Sequence, residues 1–206
     1  MYRLQDELDK ARAVARALDS FEIDARARGD HVLNQHWGGV FPSDLLPKKP
    51  IARSEKPIGY VANTDPSDQN GSHWVSFYFP KERDDVVEFY DSYGLEPKFY
   101  SPYFARFIAT HSQECLRTSV DSQGLFSDVC GYYALGYLHM RCLGLSMREI
   151  VKKFPENNKR TNDKRIAEYV NEHVPMPRQR RTIKSHVFNQ KAQIKRDNHA
   201  RYNVSR

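Results

Sequence analysis

The chain has 206 residues, 39% hydrophobic and 28% charged, with 32 Lys and Arg against 26 Asp and Glu for a net charge of +6. That balance excludes intrinsic disorder, and the length suits one domain with or without an appendage. No apolar run approaches the roughly 18 residues of a membrane span, and three cysteines without a CxxC pair exclude a disulfide scaffold or a closed zinc site.

The N-terminus, MYRLQDELDKARAVARALDS, is charged throughout, so a secretory leader is not expected and a reducing, intracellular setting is. Leu4, Leu8, Ala11, Ala15 and Leu18 recur every three or four residues, which predicts a helix that ends by Gly29, a residue suited to a left-handed cap. Residues 31–58 hold two glycines and four prolines and are expected to be irregular. Strands are predicted at Ile58–Ala62, Trp74–Phe79 and Val86–Tyr90, with pure turn chemistry (NTDPSDQNGS) between the first two. A helix over Tyr103–His111 and a strand over Leu116–Val120 follow. Residues Cys130–Leu143 predict a helix apolar enough to be buried on most sides, and shorter helices are expected at Met147–Phe154 and Arg165–His173. Strands grouped in the middle with helices at both ends indicate an α+β fold.

The charge is unevenly placed. Residues 177–206 hold nine Lys and Arg and one Asp, a net of +8, which leaves −2 for residues 1–176. A nearly neutral body therefore carries a basic C-terminal tail. Arg178, Arg180, Arg181, Lys184, Lys195 and Arg196 have the density to attract phosphate without reading base sequence. A merely solvated end and a nuclear-import signal are the competing readings of the same residues.

Three positions stand out chemically. His73 opens a strand, Asp91 closes the next one, and Cys130 opens the buried helix. If the two strands form one antiparallel hairpin, their outer ends are expected to lie apart; other registers or parallel pairing would bring them together. A thiol at a helix N-terminus is favoured as thiolate by the helix dipole and by unpaired backbone N–H groups. A nearby histidine would complete its activation, and an acid on the other ring nitrogen would fix the tautomer. Gln123, seven residues earlier, offers an amide which, with the Cys130 N–H, could hold a tetrahedral oxyanion. Taken singly, each residue has a blander reading. Cys130 reads as a core thiol, Asp91 as a turn residue, and His73 and Gln123 as loop polars.

The stretches NGSHWVSFYFP, FYDSYG and QGLFSDVCGYYALGYLH resemble the adenovirus-type cysteine endopeptidase (adenain) family, which is related in fold to proteases of ubiquitin-like modifiers. The resemblance covers about residues 60–140 and keeps the order His73, Asp91, Gln123, Cys130. It implies a papain-like α+β core, a mixed sheet packed against the helix that begins at the nucleophile. The division of charge sets the expected bounds: one domain over residues 1–176, read as catalytic, with residues 177–206 as its basic tail. In the implied roles Cys130 is the nucleophile, His73 its base and later acid, Asp91 the orienting group and Gln123 the oxyanion donor. The implied activity is cleavage of viral or virus-like precursor (capsid) proteins next to glycine, in a host nucleus or virion. The chemistry requires no cofactor, although the resemblance implies activation by DNA or a short viral peptide. Cys115 lies near the family's peptide-linking cysteine but reads better as an idle thiol, and Cys142 as core. Removal of ubiquitin-like modifiers is the nearest alternative function. A DNA-binding protein on an inactive scaffold and an acyltransferase stand further off.

Overall fold

A computed structural model describes residues 15–177. Leu4, Leu8 and Ala11 lie outside the described residues, as do all six basic tail residues named above.

The first described helix is shorter than the periodicity predicts. Residues 15–19 are not helical, and α1 spans Ser20–Gly29. The reason is local: Asp19 accepts from the Glu22 amide and Glu22 accepts from the Asp19 amide, a capping box that starts a fresh helix there. Leu18 is thereby released from the helix and turns into the core. Gly29 ends α1 without adopting the left-handed cap. Asp30 is extended instead, and its carboxylate receives the amides of Val32 and Leu33.

The sheet has five strands in chain order: β1 (Trp37–Phe41), β2 (Ile58–Asn63), β3 (Trp74–Phe79), β4 (Val86–Tyr90) and β5 (Glu114–Arg117). The outer pairs are parallel and the two inner pairs antiparallel, so the sheet is mixed. β1 falls inside the stretch expected to be irregular. Its WGGVF sequence is a poor strand by propensity, because glycine weakens strand interiors. Contact decides here, since a Cβ on Gly38 would meet the Tyr60 ring at 2.3 Å, so only glycine lets β1 lie against β2. β5 begins and ends earlier than the predicted Leu116–Val120, because its register is set by pairing with Val86–Phe89.

Helices cover both faces, and strand alternation sorts the side chains between them. Tyr60, Ala62, Val75, Phe77, Phe79, Val87 and Phe89 pack with Phe104 and Phe107 of α2 (Pro102–His111). Val61, Tyr78 and Tyr90 pack on the other side against α1, α3 (Cys130–Cys142) and α5 (Lys159–His173), with the short α4 (Met147–Val151) alongside. Every residue of α3 from Gly131 to Met140 is buried, as its composition predicts. At Gly136 a Cβ would stand 2.5 Å from the Ile166 side chain, so a glycine is what lets α5 close on α3. α4 stops three residues short of its prediction, whereas α5 begins six residues before its own. No helix among the described residues is long and apolar enough to cross a membrane.

Candidate active site

The β3–β4 hairpin corrects one expectation directly. β3 and β4 pair antiparallel with Ser76 opposite Tyr90. Because the strands run in opposite directions, the start of β3 and the end of β4 lie at the same end of the sheet. A hairpin therefore brings His73 and Asp91 together rather than holding them apart. The His73 Nε2 to Asp91 Oδ1 distance is 2.7 Å, with both residues buried.

Asp91 performs two tasks at once. Its Oδ1 also receives the Tyr93 amide at 3.2 Å, while Oδ2 receives the Leu95 amide and the Tyr100 hydroxyl, each at 2.8 Å. The turn reading and the histidine-orienting geometry thus hold together: the turn fixes the carboxylate, and the fixed carboxylate holds the ring. Gly94, at φ +71°, makes the turn possible, since a Cβ there would also lie 2.7 Å from the Ser119 backbone.

Cys130 lies near enough to the His73 ring to favour its protonated form, and both line the same groove. Since Nε2 is taken by Asp91, Nδ1 is the nitrogen left for the thiol. Burial acts to lower the pKa of His73, but the Asp91 hydrogen bond, together with the influence of Cys130 and the Asp91 charge, outweighs it and raises the group to about 9. The ring is sandwiched by Tyr93, stacked at 4.8 Å between centroids, and Tyr100 at 5.6 Å. Neither tyrosine was singled out from sequence. Their only signal there is proximity to Asp91 in the chain.

Cys130 is the first residue of α3 and is half-buried. The Tyr132 and Tyr133 amides bond the Val129 carbonyl at 3.0 and 3.1 Å, which leaves the Cys130 and Gly131 N–H groups without a backbone acceptor among the described residues. Trp74 steadies this end of the helix from β3: its Nε1 donates to the Leu18 carbonyl at 3.0 Å, and the Leu18 Cβ lies 3.1 Å from where a Cβ on Gly131 would stand.

Gln123 is buried in the loop before α3, and its amide is fully engaged. Oε1 accepts from the Ser92 hydroxyl at 2.6 Å, while Nε2 donates to the Ser127 carbonyl at 2.7 Å and to the Tyr93 hydroxyl at 3.2 Å. The loop itself is tied down from α5. Asp163 receives the Gly124 amide at 3.1 Å and the Tyr133 hydroxyl at 3.1 Å, and Asn162 donates to the Ser122 carbonyl. Burial pushes the Asp163 carboxyl up, partly offset by the nearby Ser127 hydroxyl and by hydrogen bonds from Gly124 and Tyr133. Asp163 and Asn162 lie beyond the stretch that carries the resemblance, and nothing in their local pattern marks them.

His73, Tyr93, Gln123 and Cys130 all line one open groove of about 1150 Å³, bounded by Leu18–Phe21, Gly38–Pro42 and the 65–72 loop. The volume exceeds the ~300–1,000 Å³ of most small-molecule pockets and suits an extended chain segment. The other thiols lie elsewhere. Cys115 packs on the α2 side, where burial raises it to about 11, and Cys142 packs against the α3 core, where burial raises it to about 12. No cysteine is in a disulfide.

No protein-family model matches this chain, and no curated protein matches it in sequence. Among solved structures it is similar to the ASFV pS273R protease, with 18% identity, a TM-score of 0.48, and coverage of 77% of this chain and 68% of that one. A likeness this distant carries neither an activity nor residue roles across.

Proposed function

We propose that this protein is a cysteine endopeptidase with Cys130 as nucleophile. One observation carries the reading: a histidine held by a buried carboxylate shares the wall of one groove, large enough for a peptide, with a thiol at a helix N-terminus. In this reading the Cys130 thiolate attacks the scissile carbonyl carbon and pushes the C=O electrons onto oxygen. The oxyanion is met by the Cys130 N–H and the Gln123 side of the loop. Collapse of the intermediate breaks the C–N bond, and protonated His73 gives its proton to the leaving amine. That leaves a thioester on Cys130. A water then loses a proton to His73 and attacks the thioester carbonyl, and collapse expels the Cys130 thiolate, releases the new carboxylic acid and restores the thiolate beside protonated His73. Asp91 keeps the ring oriented and stabilises its charged form throughout.

The substrates proposed are viral or virus-like precursor proteins cut beside glycine. That preference rests on the resemblance at NGSHWVSFYFP and QGLFSDVCGYYALGYLH, as does stimulation by DNA. Binding of DNA by the tail rests on its net +8 and should weaken with salt.

The test profiles cleavage by wild type and Cys130→Ala on peptides with glycine at the junction, beside a panel of ubiquitin-like precursors, with and without DNA at two salt concentrations. Cleavage lost in the variant while its melting temperature holds supports the reading. Cleavage retained in Cys130→Ala overturns it. Preference for the ubiquitin-like panel would reassign the substrate and keep the mechanism.

A further inference from the structure

The sequence places Gln123 as the side-chain half of an oxyanion hole, yet neither of its N–H groups points into open space. One is held by the Ser127 carbonyl at 2.7 Å and the other by the Tyr93 hydroxyl at 3.2 Å. Nor is the amide free to turn over, because the Ser92 hydroxyl donates to Oε1 at 2.6 Å. The Ser92 carbonyl also receives the backbone amides of Ser122 and Gln123, at 2.8 and 3.1 Å. The turn that follows Asp91 therefore sets the orientation of Gln123 as well as that of His73.

Tyr93 stands at the end of this chain of bonds. Its hydroxyl accepts from Gln123 and donates to no partner among the described residues, so its own proton is uncommitted. Its ring stacks on His73, and the residue lines the same groove as Cys130. We propose that Tyr93 is a further catalytic residue. Its hydroxyl is the side-chain donor that meets the oxyanion, and Gln123 acts through it by donating into the same oxygen. The proposal rests on the Cys130 acyl-transfer reading and deepens it. A phenol that accepts one hydrogen bond is a better donor of the next, because successive bonds polarise one another. The proton is also retained at working pH: burial first, and then the negative field of Cys130, Asp163 and Asp91, pushes the Tyr93 hydroxyl up to about 12.

The role separates from packing because an oxyanion forms in some reactions of a thiol and not in others. Acylation of Cys130 by p-nitrophenyl acetate passes through a tetrahedral oxyanion, whereas alkylation by iodoacetamide is a direct displacement at carbon and forms none. Tyr93→Phe keeps the ring on His73 and removes only the hydroxyl. The measurement is the rate of each reaction at Cys130, with the signal of Cys130→Ala subtracted to remove Cys115 and Cys142. Tyr93→Phe should slow acylation by about tenfold to a hundredfold, below the ~10²–10³ of a full oxyanion donor because the ester is already activated. Alkylation should stay within about twofold. The double variant Tyr93→Phe/Gln123→Ala should be no slower than the slower single one, since both lie on one path to the oxygen.

An unchanged ratio of acylation to alkylation overturns the proposal, as does a parallel fall in both, which would mark a packing role. Additive losses in the double variant also overturn it, by making Gln123 an independent donor. A selective loss of acylation in a protein that cleaves no peptide would overturn the endopeptidase reading and leave Tyr93 as the donor. A Cys130 inert to both reagents would overturn both.

Discussion

The two faces of the sheet are built on different principles. Under α2 the face is apolar and built around aromatic rings: the Phe77 ring lies 5.2 Å from Phe89, 5.2 Å from Phe104 and 5.0 Å from Phe107. Under α3 the face carries directed bonds. The Ser76 hydroxyl donates to the Ala134 carbonyl at 2.9 Å, and buried Glu88 receives the Tyr137 hydroxyl at 2.5 Å and Arg141 Nε at 2.7 Å. Hydrophobic burial is non-directional and tolerates small shifts, whereas hydrogen bonds fix position and rotation. The face that carries Cys130 is the one with the polar stitches. The other supplies stability.

Three substitutions press on that difference, and the largest effect is expected at the site end. Asp91→Asn removes the charge that keeps His73 protonated and should lower kcat/KM by on the order of 10³–10⁴-fold. In wild type, cleavage should fall on the alkaline side near pH 9, where His73 loses the proton it gives to the leaving amine. In the variant that limb should move to lower pH. The same shift bears on stability. With a folded pKa of about 9 against an ordinary 6.5, protonated His73 contributes stability that is fully present below about pH 6.5 and lost as pH rises through 9. A pH-rate profile and melting curves from pH 6 to about 10 check both; an alkaline limb that stays put in Asp91→Asn would separate the carboxylate from the ring.

Phe77→Ala should cost about 3–5 kcal/mol of stability by opening a cavity in the aromatic face. Per folded molecule, cleavage should be unchanged. Ser76→Ala should cost only about 1 kcal/mol, the net value of one hydrogen bond. It should nevertheless lower kcat per folded molecule more than Phe77→Ala does. Denaturant titration alongside active-site titration measures both quantities, and a reversed order of kcat losses would break the contrast between the faces.

Much of this was legible in the chain. β3, β4, α2 and α3 match their predicted spans to within one residue at each end, because alternation and helical spacing are local properties. The order His73, Asp91, Gln123, Cys130 was visible too, since three of them sit at element ends where turn residues meet apolar runs and Gln123 falls in the loop just before α3. β1 was not, because two glycines hide a strand whose fit depends on the Tyr60 ring. Nor was the break at Asp19, where a capping box overrides an apolar period that would have continued through it.

Sequence alone determined which residues could do the chemistry and which elements carry them, because residue type and short-range period are written along the chain. Tertiary structure alone decided that they meet. The antiparallel register sets Asp91 beside His73, and the Asp91–Tyr93 turn, with Asp163 of α5, grips the loop of Gln123. It also decided that the Gln123 amide is already spent, on Ser127 and on a tyrosine hydroxyl. Pairing of this kind joins positions up to 39 residues apart. Its energy depends on register and packing between elements, and no local pattern records either.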